Sequence, residues 1–191
     1  HDRGVRGYRM STVVSGGVGF DALEALADEA RELGWHLLLH FHASSELVDV
    51  AERLRALPCD YVLDHLARIR ADEGVDSPAF KTVLDLLETG RCWVKLASLY
   101  RLSSEPYPHR DMLPLIHAVI AARPDRMIWG TNWPHPIHVG PMPNDGDIVD
   151  LIPLWAPDPA MQHRMLVDNP SRLDGFETWR RDRPPRRLLF R

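Results

Sequence analysis

The residues able to do chemistry in this chain sit at the ends of short apolar runs. His40 and His42 close and follow "WHLLLH", Asp64 and His65 close "YVLDH", and Lys95 lies in "CWVKLA" with Arg101 just beyond. Asn132 and His135 follow "RMIWG". Imidazoles exchange protons near neutral pH, so His65 and His135 are candidates for proton transfer. Arg68 and Arg101 suit bidentate binding of a planar carboxylate, which lysine grips less specifically. Arg6 or Arg9, in the first run, could do the same; Arg6 is the candidate taken, although sequence alone does not separate the two. The plain alternatives are a strand-end histidine bonded to backbone and arginines paired with surface acids.

Asn132 raises the sharpest question. A strand that stops in a polar, histidine-bearing turn is where many barrel enzymes keep a catalytic acid, and an amide cannot accept a proton. It can still orient a water or donate to an oxyanion. His40, His42, His65 and His135 could also converge as a metal cluster, but Asn132 is a poor ligand, and neither a metal nor another cofactor is expected.

The elements that must position these residues alternate. Strand patterns at 4–10, 35–40, 61–65, 92–97 and 126–130 precede helical patterns at 21–34, 45–57, 78–89, 111–122 and 145–156. Asp21 is a candidate N-cap and Gly34 a candidate C-cap of the first helix. Serial β/α order with continuous apolar strands predicts a parallel sheet with right-handed crossovers. Polar strand ends favour a (β/α)8 TIM barrel over an open doubly wound sheet. "SGGVG" at 15–19 lacks both the dinucleotide spacing and a Walker lysine. About five units fit, whereas a barrel of ~250 residues has eight. The chain therefore reads as the C-terminal five-eighths of a barrel, beginning partway into something larger, and exposed strand edges would favour a homo-oligomer.

Composition narrows the partners. A formal charge of -4 gives no electrostatic footprint for nucleic acid, so a small molecule is the expected partner. Cys59 and Cys92 are the two cysteines and form no CxxC, which fits a reducing cytoplasm. No apolar run is long enough to span a bilayer, and no membrane partner is expected. Residues 177–191 hold a basic segment, "RRDRPPRRLLFR" from 180, read as a solvated, disordered tail.

Four segments carry a resemblance: "VLDHLAR" (62–68), "WVKLASLYRLS" (93–103), "MIWGTNWPHP" (127–136) and "RMLVDNPSRLDGF" (164–176). In that order they resemble the amidohydrolase-related, metal-independent lactonases of the 2-pyrone-4,6-dicarboxylate lactonase type, over residues 4–176. The resemblance implies a distorted barrel that hydrolyses a carboxylated lactone or related ester-like bond. It implies a histidine at His65, arginines for substrate carboxylates at Arg68, Arg101 and Arg6, and a water-activating aspartate where Asn132 stands. The family's first-strand His-x-His pair has no counterpart here.

The expectation is a hydrolase in which Arg68 and Arg101 grip a carboxylated substrate, His65 polarises or relays protons, and Asn132 places the water. His135 is a further candidate base, and His40 a further substrate contact. Direct help to His65 from Asp64 is not expected, because neighbours on a strand point to opposite faces. The rivals are a catalytically impaired carboxylate-binding relative and a metal-dependent hydrolase or decarboxylase of the wider superfamily.

Overall fold

A computed structural model describes residues 3–14 and 16–176. Its frame is one parallel sheet in the order β1 (Gly7–Ser11), β2 (His36–His40), β3 (Tyr61–Leu63), β4 (Cys92–Ala97) and β5 (Met127–Gly130). Between the strands come α1 (Leu23–Leu33), α2 (Ser44–Arg55), α3 (Pro78–Glu88) and α4 (Leu113–Ala122). After β5 follow α5 (Asp145–Asp150), α6 (Ile152–Trp155), α7 (Pro159–His163), a π turn at Arg164–Asp168 and α8 (Asn169–Asp174). Every strand pairs in parallel with its sequence neighbour, the arrangement of a (β/α)8 barrel represented by five of its units. Among the described residues, β1 and β5 are the two edges.

Period-two alternation separates the faces of the sheet. Leu37 and Leu39 of β2, Leu63 of β3, Val94 and Leu96 of β4 and Met127 of β5 are fully buried in the core with Ala27, Leu47, Phe80 and Leu86 of the helices. The other face carries Arg9, His40 and Lys95, which reach one another through Asp64. In β1, β2 and β4 one side thus builds the core and the other furnishes polar groups.

Local chemistry explains where elements stop. Gly34 ends α1 at φ 65°, as expected of a C-cap that needs the left-handed region. Asp21 is not the N-cap of that helix; it lies in a 3-10 turn at Phe20–Ala22. The single helix expected over 145–156 is two, because Pro153 cannot donate to the preceding turn and its ring crowds it. "DNPSRLDGF" closes the base of the sheet: buried Asn169 donates through Nδ2 to the carbonyls of Pro124 (2.9 Å) and Met127 (2.7 Å). Trp93 is a core residue, its indole N–H bonded to Asp60 and its ring covered by Arg126 and Arg172. The basic tail lies outside the described residues.

Candidate active site

The C-terminal ends of β1 to β5 gather most of the expected residues. β3 stops at Leu63, and His65, Leu66, Ala67 and Arg68 then all take left-handed conformations, with φ of 53°, 49°, 50° and 64°. Each non-glycine residue there costs about 1–2 kcal/mol, so the turn is strained. Full burial of Leu66, Ala67 and Ile69, and a bond from the Ile69 amide to the Leu66 carbonyl (3.1 Å), hold it.

This reversal of hand overturns the expectation for Asp64. Strand alternation ends before residue 64, and Asp64 Oδ2 lies 3.5 Å from His65 Nε2. Asp64 is the hub of the site: its buried carboxylate accepts from Arg9 Nη2 at 3.1 Å and lies 3.6 Å from Lys95 Nζ. The same guanidinium nitrogen of Arg9 lies 3.0 Å from His40 Nδ1. Arg6 is elsewhere. It precedes β1, and its Nε donates to the Asp174 carbonyl at 2.7 Å, at the opposite end of the sheet. The arginine that meets His40 is Arg9.

His40 and His65 are buried edge to face, ring centroids 4.9 Å apart. Burial, then the neighbouring His65 ring, with Arg9 and Arg68 adding to it, pushes His40 down to about 4. Burial, with Lys95 and Arg9, outweighs Asp64 and the Ala97 carbonyl to push His65 to about 4 as well. Both rings are neutral at pH 7. His40 Nδ1 accepts from Arg9, so its proton sits on Nε2, a buried nitrogen without a hydrogen-bond partner among the described residues. That is an unspent donor.

Arg68 and Arg101 flank a cavity of about 140 Å³ together with His42, Ser44, Arg70 and Glu73. The Nε atoms of Arg68 and Arg101 are both buried and lack hydrogen-bond partners among the described residues. Burial, then the Arg101 and Arg70 charges, lowers Arg68 from its usual value. Positive charge here exceeds its compensation. Arg101 also donates to the Pro136 carbonyl, tying the loop after β4 to the loop after β5.

In that second loop Asn132 takes φ 75°, a conformation asparagine tolerates better than most residues. Its Nδ2 donates to the Tyr100 hydroxyl at 3.0 Å, and that hydroxyl lies 2.9 Å from His135 Nδ1. Buried His135 places Nε2 3.2 Å from Asp145 Oδ1, in ion-pair range but off the line of a good hydrogen bond. Sequence reasoning missed Arg9's partners, Tyr100 and Asp145. Tyr100 had one readable signal, its place beside Arg101 at a strand end; Asp145 reads only as a helix start. Among the described residues no three His, Cys, Asp or Glu side chains form a group able to hold a metal ion.

The amidohydrolase family profile matches residues 1–176. The chain belongs to the amidohydrolase family. A 4-sulfomuconolactone hydrolase of Hydrogenophaga intermedia is 44% identical over 146 residues, which are 75% of this chain and 48% of that protein. A 2-pyrone-4,6-dicarboxylate hydrolase of Comamonas testosteroni is 39% identical over 185 residues, covering 91% of this chain and 60% of its own length. This amidohydrolase-family chain thus spans about half to three-fifths of those relatives. An apo crystal structure from Agrobacterium tumefaciens superposes with a TM-score of 0.78 at 30% identity, over 90% of this chain and 61% of that one. A putative 2-pyrone-4,6-dicarboxylic acid hydrolase structure from Pseudomonas putida gives 0.74 at 27%, over 92% and 65%. The resemblance read from the four sequence segments is thereby borne out, as is the barrel-type fold.

Proposed function

We propose that this chain belongs to a hydrolase that opens a lactone carrying an acidic substituent, a carboxylate or sulfonate. The observation that carries the reading is that Arg68 and Arg101 line one small cavity while the Nε atom of each is buried without a hydrogen-bond partner among the described residues. Guanidinium groups left without a carboxylate in the free protein are poised for an anionic ligand. The relatives named as lactone hydrolases act on substrates whose names carry carboxylate and sulfonate groups, which supports the same chemistry here.

In this reading Arg68 and Arg101 hold the acidic group. The neutral His65 polarises the lactone carbonyl, and the unpartnered His40 Nε2–H is a donor for the oxygen as charge develops on it. Asn132 places the attacking water. Activation of that water by side chains, without a metal, is part of the proposal.

Asn132 favours a second reading, a binding protein that keeps the anion site and has lost its base. Loss of a general base costs roughly 10²- to 10⁴-fold. Initial rates of ring opening on 2-pyrone-4,6-dicarboxylate and 4-sulfomuconolactone separate the two. Turnover abolished by Arg68→Ala supports the hydrolase; binding without turnover in a folded protein supports the binding protein.

Two lesser expectations remain part of this reading. Both cysteines are free and buried, in keeping with a reducing cytoplasm. The open edges of β1 and β5 favour a homo-oligomer. No helix of the described residues is long and apolar enough to cross a membrane.

A further inference from the structure

The network Asn132–Tyr100–His135–Asp145 can run in one direction throughout. An amide nitrogen only donates, so the Tyr100 oxygen accepts from Asn132 at 3.0 Å and can donate its own proton to His135 Nδ1 at 2.9 Å. With Nδ1 accepting, the imidazole proton sits on Nε2, the nitrogen that faces Asp145 at 3.2 Å. The phenol oxygen has two lone pairs, and Asn132 uses one. Tyr100 is half-buried, and a water meeting its oxygen would use the second lone pair. Tyr100 is also adjacent to Arg101, whose guanidinium lies 5.8 Å from its ring centroid. Through Arg101, which lines that cavity, the network is joined to the anion site.

We propose that Tyr100 is the water-activating catalytic residue, with His135 as its proton acceptor and Asp145 as a positioning residue for His135. The proposal rests on the lactonase reading above and assigns the base which that reading lacks. As water attacks the lactone carbonyl carbon, one water proton passes to the Tyr100 oxygen while the Tyr100 proton passes to His135 Nδ1. The carbonyl π pair moves onto its oxygen. The ring C–O bond then breaks, the carbonyl re-forms, and the leaving oxygen takes the proton returned from His135 through Tyr100. Water has been added across the ester bond, and the relay is back in its starting state.

This arrangement gives Asn132 a reason to be an amide. Its N–H steadies the Tyr100 oxygen while that oxygen passes its proton on; a carboxylate in its place would repel the negative charge developing there.

The test is steady-state kinetics of the full chain on 2-pyrone-4,6-dicarboxylate and 4-sulfomuconolactone, for the parent, Tyr100→Phe, His135→Gln, Asp145→Asn and the Tyr100→Phe, His135→Gln double variant. Tyr100→Phe and His135→Gln are each expected to lower kcat by roughly 10²- to 10⁴-fold with little change in KM, the range for loss of general-base catalysis. The Tyr100→Phe, His135→Gln double variant loses no more than either single one, as for residues that act as a unit. If Tyr100→Phe folds poorly, as judged by thermal melting, Asp145→Asn carries the test, with a lowered kcat at an unchanged KM. A parent that turns over while these variants change only KM or Tm overturns the relay and leaves the lactonase reading standing. A folded parent inactive on both lactones overturns the reading, and the relay falls with it.

Discussion

The Arg9 guanidinium nitrogen lies 3.0 Å from His40 Nδ1 and, because arginine only donates, that ring nitrogen carries no proton. The contact selects the neutral ring. His65, packed against it at 4.9 Å, is held neutral as well. Both rings sit at about 4 against an ordinary 6.5, so between those values the unfolded chain binds protons that the folded chain refuses. Stability therefore rises with pH across that window. The contribution is fully present above pH about 6.5 and is lost as pH falls towards about 4. Urea unfolding at intervals across the window is expected to show a falling midpoint on acidification, and the slope is expected to flatten in a His65→Gln variant.

Arg68 is a second case of a group arranged for something other than the stability of the free protein. Its Nε is buried without a partner, and Arg101 and Arg70 crowd its charge. Arg68→Met keeps much of the side-chain volume and removes the uncompensated cation. Thermal melting of the free protein is expected to show a raised Tm. Binding of an acidic lactone is expected to weaken by roughly 10- to 100-fold, in line with about 1.5–3 kcal/mol for a charge-assisted hydrogen bond. A variant that loses stability and keeps affinity would place the substrate's acidic group elsewhere.

Asn132→Asp exchanges a donor for an acceptor at 3.0 Å from the Tyr100 hydroxyl. The phenol proton is then drawn to the new carboxylate and away from His135. A double-mutant cycle reads this directly. His135→Gln, damaging in the parent, is expected to cost little in the Asn132→Asp background, because the carboxylate has become the base. Equal losses in both backgrounds would mean that His135 acts independently of Tyr100.

Asn169 offers a test far from the chemistry. Its buried amide satisfies two backbone carbonyls at the base of β5, those of Pro124 and Met127. Asn169→Ala leaves both unpaired and is expected to destabilise the fold by about 2–4 kcal/mol, at roughly 1–3 kcal/mol for each buried group left unsatisfied, tempered by partial relaxation. Equilibrium urea unfolding gives the figure, and turnover per folded molecule should be unchanged.

The order of the fold was legible because each β/α unit announces itself in one short window. The apolar run 92–97 is β4 without adjustment, and Gly34 is the cap that its position implies. Arg68 and Arg101 were also legible as a pair, since arginines just past strand ends converge in such a fold. Arg9 was not separable from Arg6, because the distinction lies in register: Ser11 pairs with His40 and Gly7 with His36, so Arg6 falls at the far end. Asp64 was misjudged for a different reason. Nothing in "DHLAR" signals four successive left-handed residues of ordinary type, a conformation imposed by tertiary packing against local preference. Tyr100 follows β4 and Asp145 opens α5, and their meeting through His135 belongs to the folded state alone.

That reversed turn has a consequence for selectivity. His65 opens it and Arg68 closes it, and the intervening Leu66 and Ala67 are locked in the core. On the proposed reading, the group that polarises the carbonyl and the group that grips the acid are mounted on one stiff bracket. Their separation is a fixed gauge. Lactones should be sorted by the span from carbonyl to acidic group before they are sorted by anything else, with longer and shorter homologues rejected alike.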